Sequence, residues 1–477
     1  MENSKKMTWY TLAFMAFSTV WGFGNVINGF SEYGGLKAIV SWILIFAIYF
    51  VPYALMVGEL GSAFKNAGGG VSSWIHETIS PKFAYYAGWT YWACHVTYIA
   101  SKGSGGLKAL SWMFFQNGTT YDQFPTIWIQ LATLAALLFF CWVASRGLNP
   151  LKKLATIAGT SMFVMSILYI LMMFAAPAIN PNGGYVTMEF SKETLIPQFN
   201  LGYFTSLSIL VFAVGGCEKI SPYVNKVKDP SRGFPKGMIA LAIMVMVCAI
   251  LGTIAMGMMF DPAVINESSE SFNSYVSNGA YWSFQKLGEY YHVGNLLLVI
   301  YAACNAIGQF STLVLSIDAP LRILLDNEDA RQFVPSGLLK KNEHGAYING
   351  IKMVICLSGS IILIQSFVPG AASVLTQLNK LNSVTMPLRY LWVFAAYIAL
   401  RKSLNKFNPE YKFTKNQTIA LVAGGWCFFV TAACCLLGMY VEGDIASTAL
   451  NVITPVVLTA LGLILPEIKK QETAKAK

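Results

Sequence analysis

Charge is what this chain has least of. Asp, Glu, Lys and Arg make up 12% of its 477 residues, about half the ~25% of a soluble globular domain. A soluble body of this size could not cover its surface with so few charged side chains. Histidine is scarcer still, at 4 residues. With no HExxH pair, nucleophile elbow or cluster of acids, the usual routes to a membrane-embedded hydrolase are missing. The nine cysteines (Cys94, Cys141, Cys217, Cys248, Cys304, Cys356, Cys427, Cys434 and Cys435) fall inside apolar segments and form no CxxC pair. A disulfide framework and a zinc cluster are thereby excluded, and small buried hydrophobes are expected. No small-residue cleavage site follows the polar N-terminal residues, so the first apolar run is expected to be retained.

What is abundant is apolar surface. Hydrophobic residues are 55% of the chain and the mean hydropathy is +0.53, which describes a polytopic all-α membrane protein. Runs of about 20 mostly apolar residues, enough to span a bilayer, occur twelve times, at 8–30, 38–64, 84–115, 126–144, 154–176, 201–224, 237–260, 294–321, 348–368, 372–400, 418–440 and 445–465. The gaps are short and the longest is 261–289, so a single domain is expected over 1–477.

The net charge of +10 could suggest nucleic acid, but its distribution does not. If successive connections alternate sides, most of the 33 Lys and Arg fall on one side with both termini, among them Lys5, Lys6, Lys152, Lys153, Arg401, Lys402, Lys469 and Lys470. The other side receives Lys37, Lys192 and Lys286. The positive-inside rule then predicts an even number of spans with both termini in the cytoplasm, and the basic residues become inner-leaflet anchors.

Irregular backbone survives at membrane depth where it lines a cavity. Two of the runs carry breaker clusters near their middles: Trp21-Gly22-Phe23-Gly24-Asn25, and Phe212-Ala213-Val214-Gly215-Gly216-Cys217-Glu218. One break in each of two corresponding segments points to a transporter site between two repeats. On this reading, residues 8–176 and 201–400 hold five helices each, and 418–465 adds two. An unwound segment offers N–H groups at the start of one half-helix and C=O groups at the end of the other. The first set suits a carboxylate and the second an ammonium, so a zwitterionic amino acid satisfies both. The candidate substrate-binding residues are Gly22, Phe23, Gly24, Asn25, Phe212, Ala213, Gly215 and Gly216. Isolated glycines more often just permit close helix packing; the recurrence of a cluster one half apart favours a site.

Three ordered motifs carry a family resemblance. Gly58-Glu59-Leu60-Gly61-Ser62-Ala63-Phe64 with Ala67 to Trp74, Phe212 to Glu218 with Lys228 to Gly237, and Asp318-Ala319-Pro320-Leu321-Arg322 through Pro335 resemble signatures of the amino acid–polyamine–organocation permeases. The run Phe23 to Asn28 and Ala144-Ser145-Arg146-Gly147 are similar to the glutamate/GABA-antiporter branch and its bacterial inner-membrane relatives. The resemblance implies a LeuT-type fold of five plus five inverted helices plus two more, twelve spans in all, in a bacterial cytoplasmic membrane. It also implies alternating-access transport of amino acids, as exchange (with an amine as one conceivable partner) or as proton-coupled uptake. In that family an aromatic at the Phe212 position closes over substrate and a Glu at the Glu218 position takes part in pH-linked gating. The chain departs from the family where Asn225 and Lys226 replace a frequent acidic pair.

Ionisable residues inside spans are functional candidates by default: His95, Lys102, Lys108, Glu218, Lys219, Lys352, Lys380 and Arg389. Glu218, Lys102 and Lys380 are read as gating or proton-linked, and Glu218→Gln is expected to flatten the pH dependence of transport. The alternative for Glu218 is a permanent ion pair with Lys219 or Lys380. Lys108, Lys352 and Lys219 are expected to snorkel to an interface, and His95 to be a hydrogen-bonded packing residue. A cavity-facing Lys102 or Lys380 would favour an acidic substrate side chain. Asp318 and Arg322 are expected as a surface pair. Ser311 and Thr312 could ligate an ion but more simply cap backbone. Among the aromatics, Trp21, Phe23, Tyr98 and Phe212 are expected to line the pocket. No cofactor and no metal are expected. A channel, and a membrane sensor that binds an amino acid without moving it, are the competing classes.

Overall fold

The computed structural model describes residues 6–327, 330–367 and 371–475. Among these the chain is helical, with no strand beyond isolated bridges. The long helices are α1 Trp9–Val20, α2 Gly24–Glu32, α3 Lys37–Ala63, α4 Val71–Thr78, α5 Pro81–Ala93, α6 His95–Phe115, α7 Thr126–Ser145, α8 Leu148–Ile179, α9 Leu201–Val214, α10 Pro230–Gly257, α11 Ser269–Tyr290, α12 Leu296–Leu325, α13 Ile348–Gln365, α14 Ala371–Thr385, α15 Tyr390–Lys402, α16 Gln417–Gly438, α17 Ile445–Ala460 and α18 Ile464–Lys475. Polar caps set several starts: Thr8, Ser80 and Asn200 accept from backbone N–H groups of α1, α5 and α9, satisfying donors that a first helical turn leaves open.

Among the described residues ten helical stretches are long and apolar enough to cross a membrane, and an eleventh is the pair α1–α2, bent by 44°. The expected third run, 84–115, differs. It is two helices, α5 and α6, joined at Cys94, and α6 carries His95, Lys102 and Lys108 together with Gly103, Gly105 and Gly106. Its polarity is what a helix facing an internal cavity tolerates and a lipid-facing one does not. Residue 368, the expected end of another run, and Lys5 lie outside the described residues.

Two irregularities lie where continuous helix was expected, and one helix lies where a connection was expected. Residues Phe46–Phe50 of α3 form a π-helical turn just before Pro52, which has no N–H to return to the preceding turn. The tenth run breaks into α14, the 3-10 turn Pro387–Arg389 and α15. The stretch 261–289, expected as a polar connection, is mostly the helix α11.

α6 packs along α12, α3 along α10, and α1 against α8 and α10. The apolar core is one contiguous cluster running through these contacts. At one end of the bundle Met7 N donates to Lys226 O (2.8 Å) and Met7 O accepts from Lys228 N (2.7 Å). Lys65 joins Glu410 at 2.8 Å on the same end; the Lys65 ammonium and the Ser231 hydroxyl hold Glu410 below the usual carboxylate range.

Candidate functional site

Both breaks form as irregular backbone. Trp21 leaves the α1 helix in an extended conformation and α2 restarts at Gly24. α9 ends at Val214; Gly215 is extended, and Gly216 sits at φ +107°, a region L side chains avoid. The chain then continues as a 3-10 helix, Cys217–Lys226. Asn25 ties the two breaks together, its amide donating to Ala213 O (3.1 Å) and Val20 O (3.4 Å). Thr312 Oγ1 donates to Ser18 O and Gly308 O, each at 2.9 Å, so it caps backbone from α12.

A cavity of about 330 Å³ lies at the breaks, near the small end of the ~300–1,000 Å³ of ligand pockets. Of the expected residues, Gly22, Gly24, Asn25, Phe212, Ala213 and Gly215 line it, as do Trp21 and Tyr98. A Cβ built on Gly22 or Gly24 would meet no atom within 4 Å, so bare backbone at the start of α2 faces open space. Phe23 is a correction: its ring is 1% exposed and packs against Tyr169, Phe284 and Tyr301 at centroid distances of 4.8, 5.1 and 5.7 Å. Gly216 also lies outside the lining, because it turns the chain behind it. The lining extends to α11, with exposed Glu32, Asn273, Asn379 and Lys380 at the cavity's mouth. The α11 lining was missed in the sequence because Ser, Asn and Tyr residues dilute its hydropathy below that of a spanning run.

The cavity wall is cationic. Lys102, Lys108, Lys219, Lys380 and Arg389 contribute to it, against one carboxylate, Glu32, among the described lining residues. Glu218 stands directly behind. It is completely buried and pairs with Arg389 Nε at 3.1 Å, and it accepts from the Tyr91 hydroxyl at 2.7 Å and from the Tyr53 hydroxyl. The partner is therefore Arg389, not Lys219 or Lys380: the break in 387–389 brings the guanidinium back to the second break. Tyr53 and Tyr91 carried no signal in the sequence, where they are two tyrosines among 23.

His95 completes this network. Its Nδ1 lies 2.8 Å from Tyr91 O; a carbonyl only accepts, so Nδ1 carries the proton and Nε2 accepts from Arg389 Nη1 at 3.2 Å. Lys108 and Lys219 do not snorkel. Lys219 is 1% exposed and donates to Ser316 at 2.6 Å; Lys108 is buried and donates to Ser277 of α11. Near Lys108, burial raises the Asp122 carboxyl and the lysine's charge counteracts it. Lys352 is exposed, as expected.

Asp318 and Arg322 pair as expected, but not at the surface. Asp318 is buried, accepts from Arg322 Nε and from the Tyr223 hydroxyl, each at 2.7 Å, and shares Arg322 with Asp326 at 3.5 Å. The chain following the second break is thus bolted to α12 on the end opposite the cavity mouth. A second buried pair, Glu59 with Arg401 at 3.1 Å, anchors the Gly58-Glu59 motif: Glu59 also accepts from Phe413 N at 2.8 Å. All nine cysteines are free thiols, and no group of His, Cys, Asp or Glu able to hold a metal occurs among the described residues.

The chain is 46% identical, over 99% of its length and 97% of the relative's, to the aspartate/glutamate permease AcaP of Lactococcus lactis subsp. cremoris. It is 23% identical to the inner membrane transporter YjeM of Escherichia coli, covering 88% and 86% of the two chains. It is 21% identical to the "probable agmatine/putrescine antiporter AguD" of Lactococcus lactis subsp. lactis, covering 76% and 72%. These relatives are a permease, a transporter and an antiporter, and with the apolar helices they make this a multi-pass transporter of the cell membrane. The amino acid permease family model matches residues 7–461, and the chain belongs to that family.

Proposed function

We propose that this permease carries acidic amino acids, aspartate or glutamate, across the cytoplasmic membrane by alternating access. The observation that carries the reading is the charge of the cavity: with Arg389 neutralised by Glu218, Lys102, Lys108, Lys219 and Lys380 still face one carboxylate, Glu32, among the described lining residues. Unbalanced cations at membrane depth are costly, and an anionic substrate offsets them where a neutral one does not. Similarity to an aspartate/glutamate permease supports the same substrate class.

In this reading the N–H groups of Gly22, Phe23 and Gly24, reinforced by the positive end of α2, receive the substrate's α-carboxylate. Carbonyls at the ends of α1 and α9 receive its ammonium, each keeping a lone pair beyond the one Asn25 uses. Phe212, packed edge-on to Tyr98 at 6.2 Å, covers the substrate. Glu32 and Lys380, within electrostatic reach across the mouth, draw together as it shuts. Glu218 holds Arg389 at the wall and takes part in proton-linked gating. Twelve spans in a five-plus-five inverted repeat, with both termini cytoplasmic, complete the proposal. The packing of α9 against α14 parallels that of α1 against α8, as such a repeat requires.

Exchange is the transport mode proposed, supported by the antiporter among the relatives; proton-coupled uptake is the second reading, favoured by Glu218 and His95 beside the cavity. The protein would be reconstituted in liposomes, empty or loaded with glutamate, aspartate or candidate amines, with and without an inwardly acidic pH gradient. Uptake of labelled glutamate into loaded vesicles alone is the expected result. Uptake into empty vesicles driven by the proton gradient would replace exchange with symport, and Glu218→Gln should then flatten its pH profile. Binding with no flux in either arm would make the protein a sensor. Flux of neutral amino acids in preference to acidic ones would overturn the substrate class.

A further inference from the structure

The five cavity cations are not equivalent, and their existing partners separate them. Arg389 is engaged by Glu218 at 3.1 Å and by His95 at 3.2 Å. Lys108 is tied to Ser277 and lies close enough to Asp122 to feel its charge. Lys380 is exposed at the mouth, within electrostatic reach of Glu32 and Asp444. Two cations remain at the depth of the breaks.

Lys102 lies one helical turn beyond Tyr98 on the same face of α6, its Nζ 4.9 Å from the centre of the Tyr98 ring. Lys219, from the 3-10 segment after the second break, places its Nζ 5.1 Å from the centre of that ring. Lys219 lies within electrostatic reach of Arg389, Glu218 and Lys102. Lys219 has one neutral partner, Ser316. Among the described residues Lys102 Nζ has no hydrogen-bond acceptor, and neither lysine has a carboxylate within ion-pairing distance. Two like charges held at one aromatic ring repel each other, and the ring's quadrupole offsets little of that. A carboxylate between them turns the repulsion into two charge-assisted hydrogen bonds.

We infer that Lys102 and Lys219, set about the ring of Tyr98, form the subsite for the substrate's side-chain carboxylate, distinct from the backbone cradle at Gly22 to Gly24 that takes the α-carboxylate. This rests on the acidic-substrate reading and deepens it: two carboxylates bind at two sites, one met by backbone N–H groups and the other by ammonium groups. The subsite rejects glutamine and asparagine because an amide places its NH2 against an ammonium, leaving donors facing donors.

The test uses the purified full-length protein and equilibrium binding of L-glutamate, L-aspartate, L-glutamine and L-asparagine. Wild type is expected to prefer each acid to its amide. Lys102→Gln should lower the acid-to-amide affinity ratio roughly 10- to 100-fold, the range for one charge-assisted hydrogen bond, while amide affinity changes little. Lys102→Arg should restore most of the ratio. Lys219→Gln should act in the same direction; because Lys219 is buried, its failure to fold would leave the decision to the two Lys102 variants. A wild-type preference for amides would overturn the substrate reading itself. A wild-type acid preference that Lys102→Gln leaves intact would overturn the subsite and leave the substrate reading standing.

Discussion

Replacing Glu218 with alanine is expected to destabilise the protein by about 3–5 kcal/mol, the range for stripping one partner from a buried ion pair. Arg389, 3% exposed and flanked by the rings of Tyr91 and Tyr390 at 4.9 and 5.0 Å, would keep its charge with nothing to balance it. The Tyr53 and Tyr91 hydroxyls would lose their acceptor as well. Arg389→Met should be similarly damaging, since it leaves a buried carboxylate. The double variant Glu218→Met with Arg389→Met should lie closer to wild type than either single, because both charges leave together. Thermal unfolding in detergent, followed by the loss of monodisperse protein, reads all three. If the single variants melt like wild type, the pair does not hold α15 and the second break together.

Gly24→Leu is expected to leave folding intact and to reduce transport by roughly 100-fold or more, the scale of a misplaced reacting or bound group. Nothing lies within 4 Å of a Cβ at Gly24, so the added side chain meets no protein and occupies the cavity instead. Gly159→Ala is the contrasting case. Its Cβ would fall 1.8 Å from the Phe14 carbonyl oxygen, where α8 crosses α1. Backbone cannot step aside as a side chain can. The ~1 kcal/mol of helix propensity gained over glycine is outweighed by an overpacking penalty of about 3 kcal/mol or more. Melting curves and glutamate flux measured on both variants separate the roles. A stable, active Gly24→Leu protein would remove the α2 start from the substrate path.

The two kinds of glycine look alike in the sequence. Gly22 and Gly24 stood out because they cluster with Asn25 at mid-span and recur, half a chain later, as Gly215 and Gly216. Gly159 sits in an ordinary apolar run and gave no signal, since its partner is a carbonyl on another helix. The same limit applies to charge. Hydropathy marked Glu218, Arg389 and the lysines as out of place in hydrocarbon, but composition along the chain cannot pair residues 171 positions apart. It offered Lys219 and Lys380 to Glu218 because the first adjoins it and the second is a cation in a later run. The break at Pro387–Arg389 that delivers the guanidinium was signalled by Pro387 alone.

By itself, then, the sequence determined the polytopic all-helical class, the two mid-span breaks and the presence of cations where lipid forbids them. Each follows from local composition, because bilayer thickness and backbone hydrogen bonding act on every segment separately. Tertiary structure alone decided that Phe23 packs inward while Tyr98 and Phe212 face the cavity, that α11 closes one side of it, and that Asp318 and Lys108 are buried. Those outcomes depend on the rotation of each helix and on what the neighbouring helices present to it, and that is fixed by contacts between residues far apart in the chain.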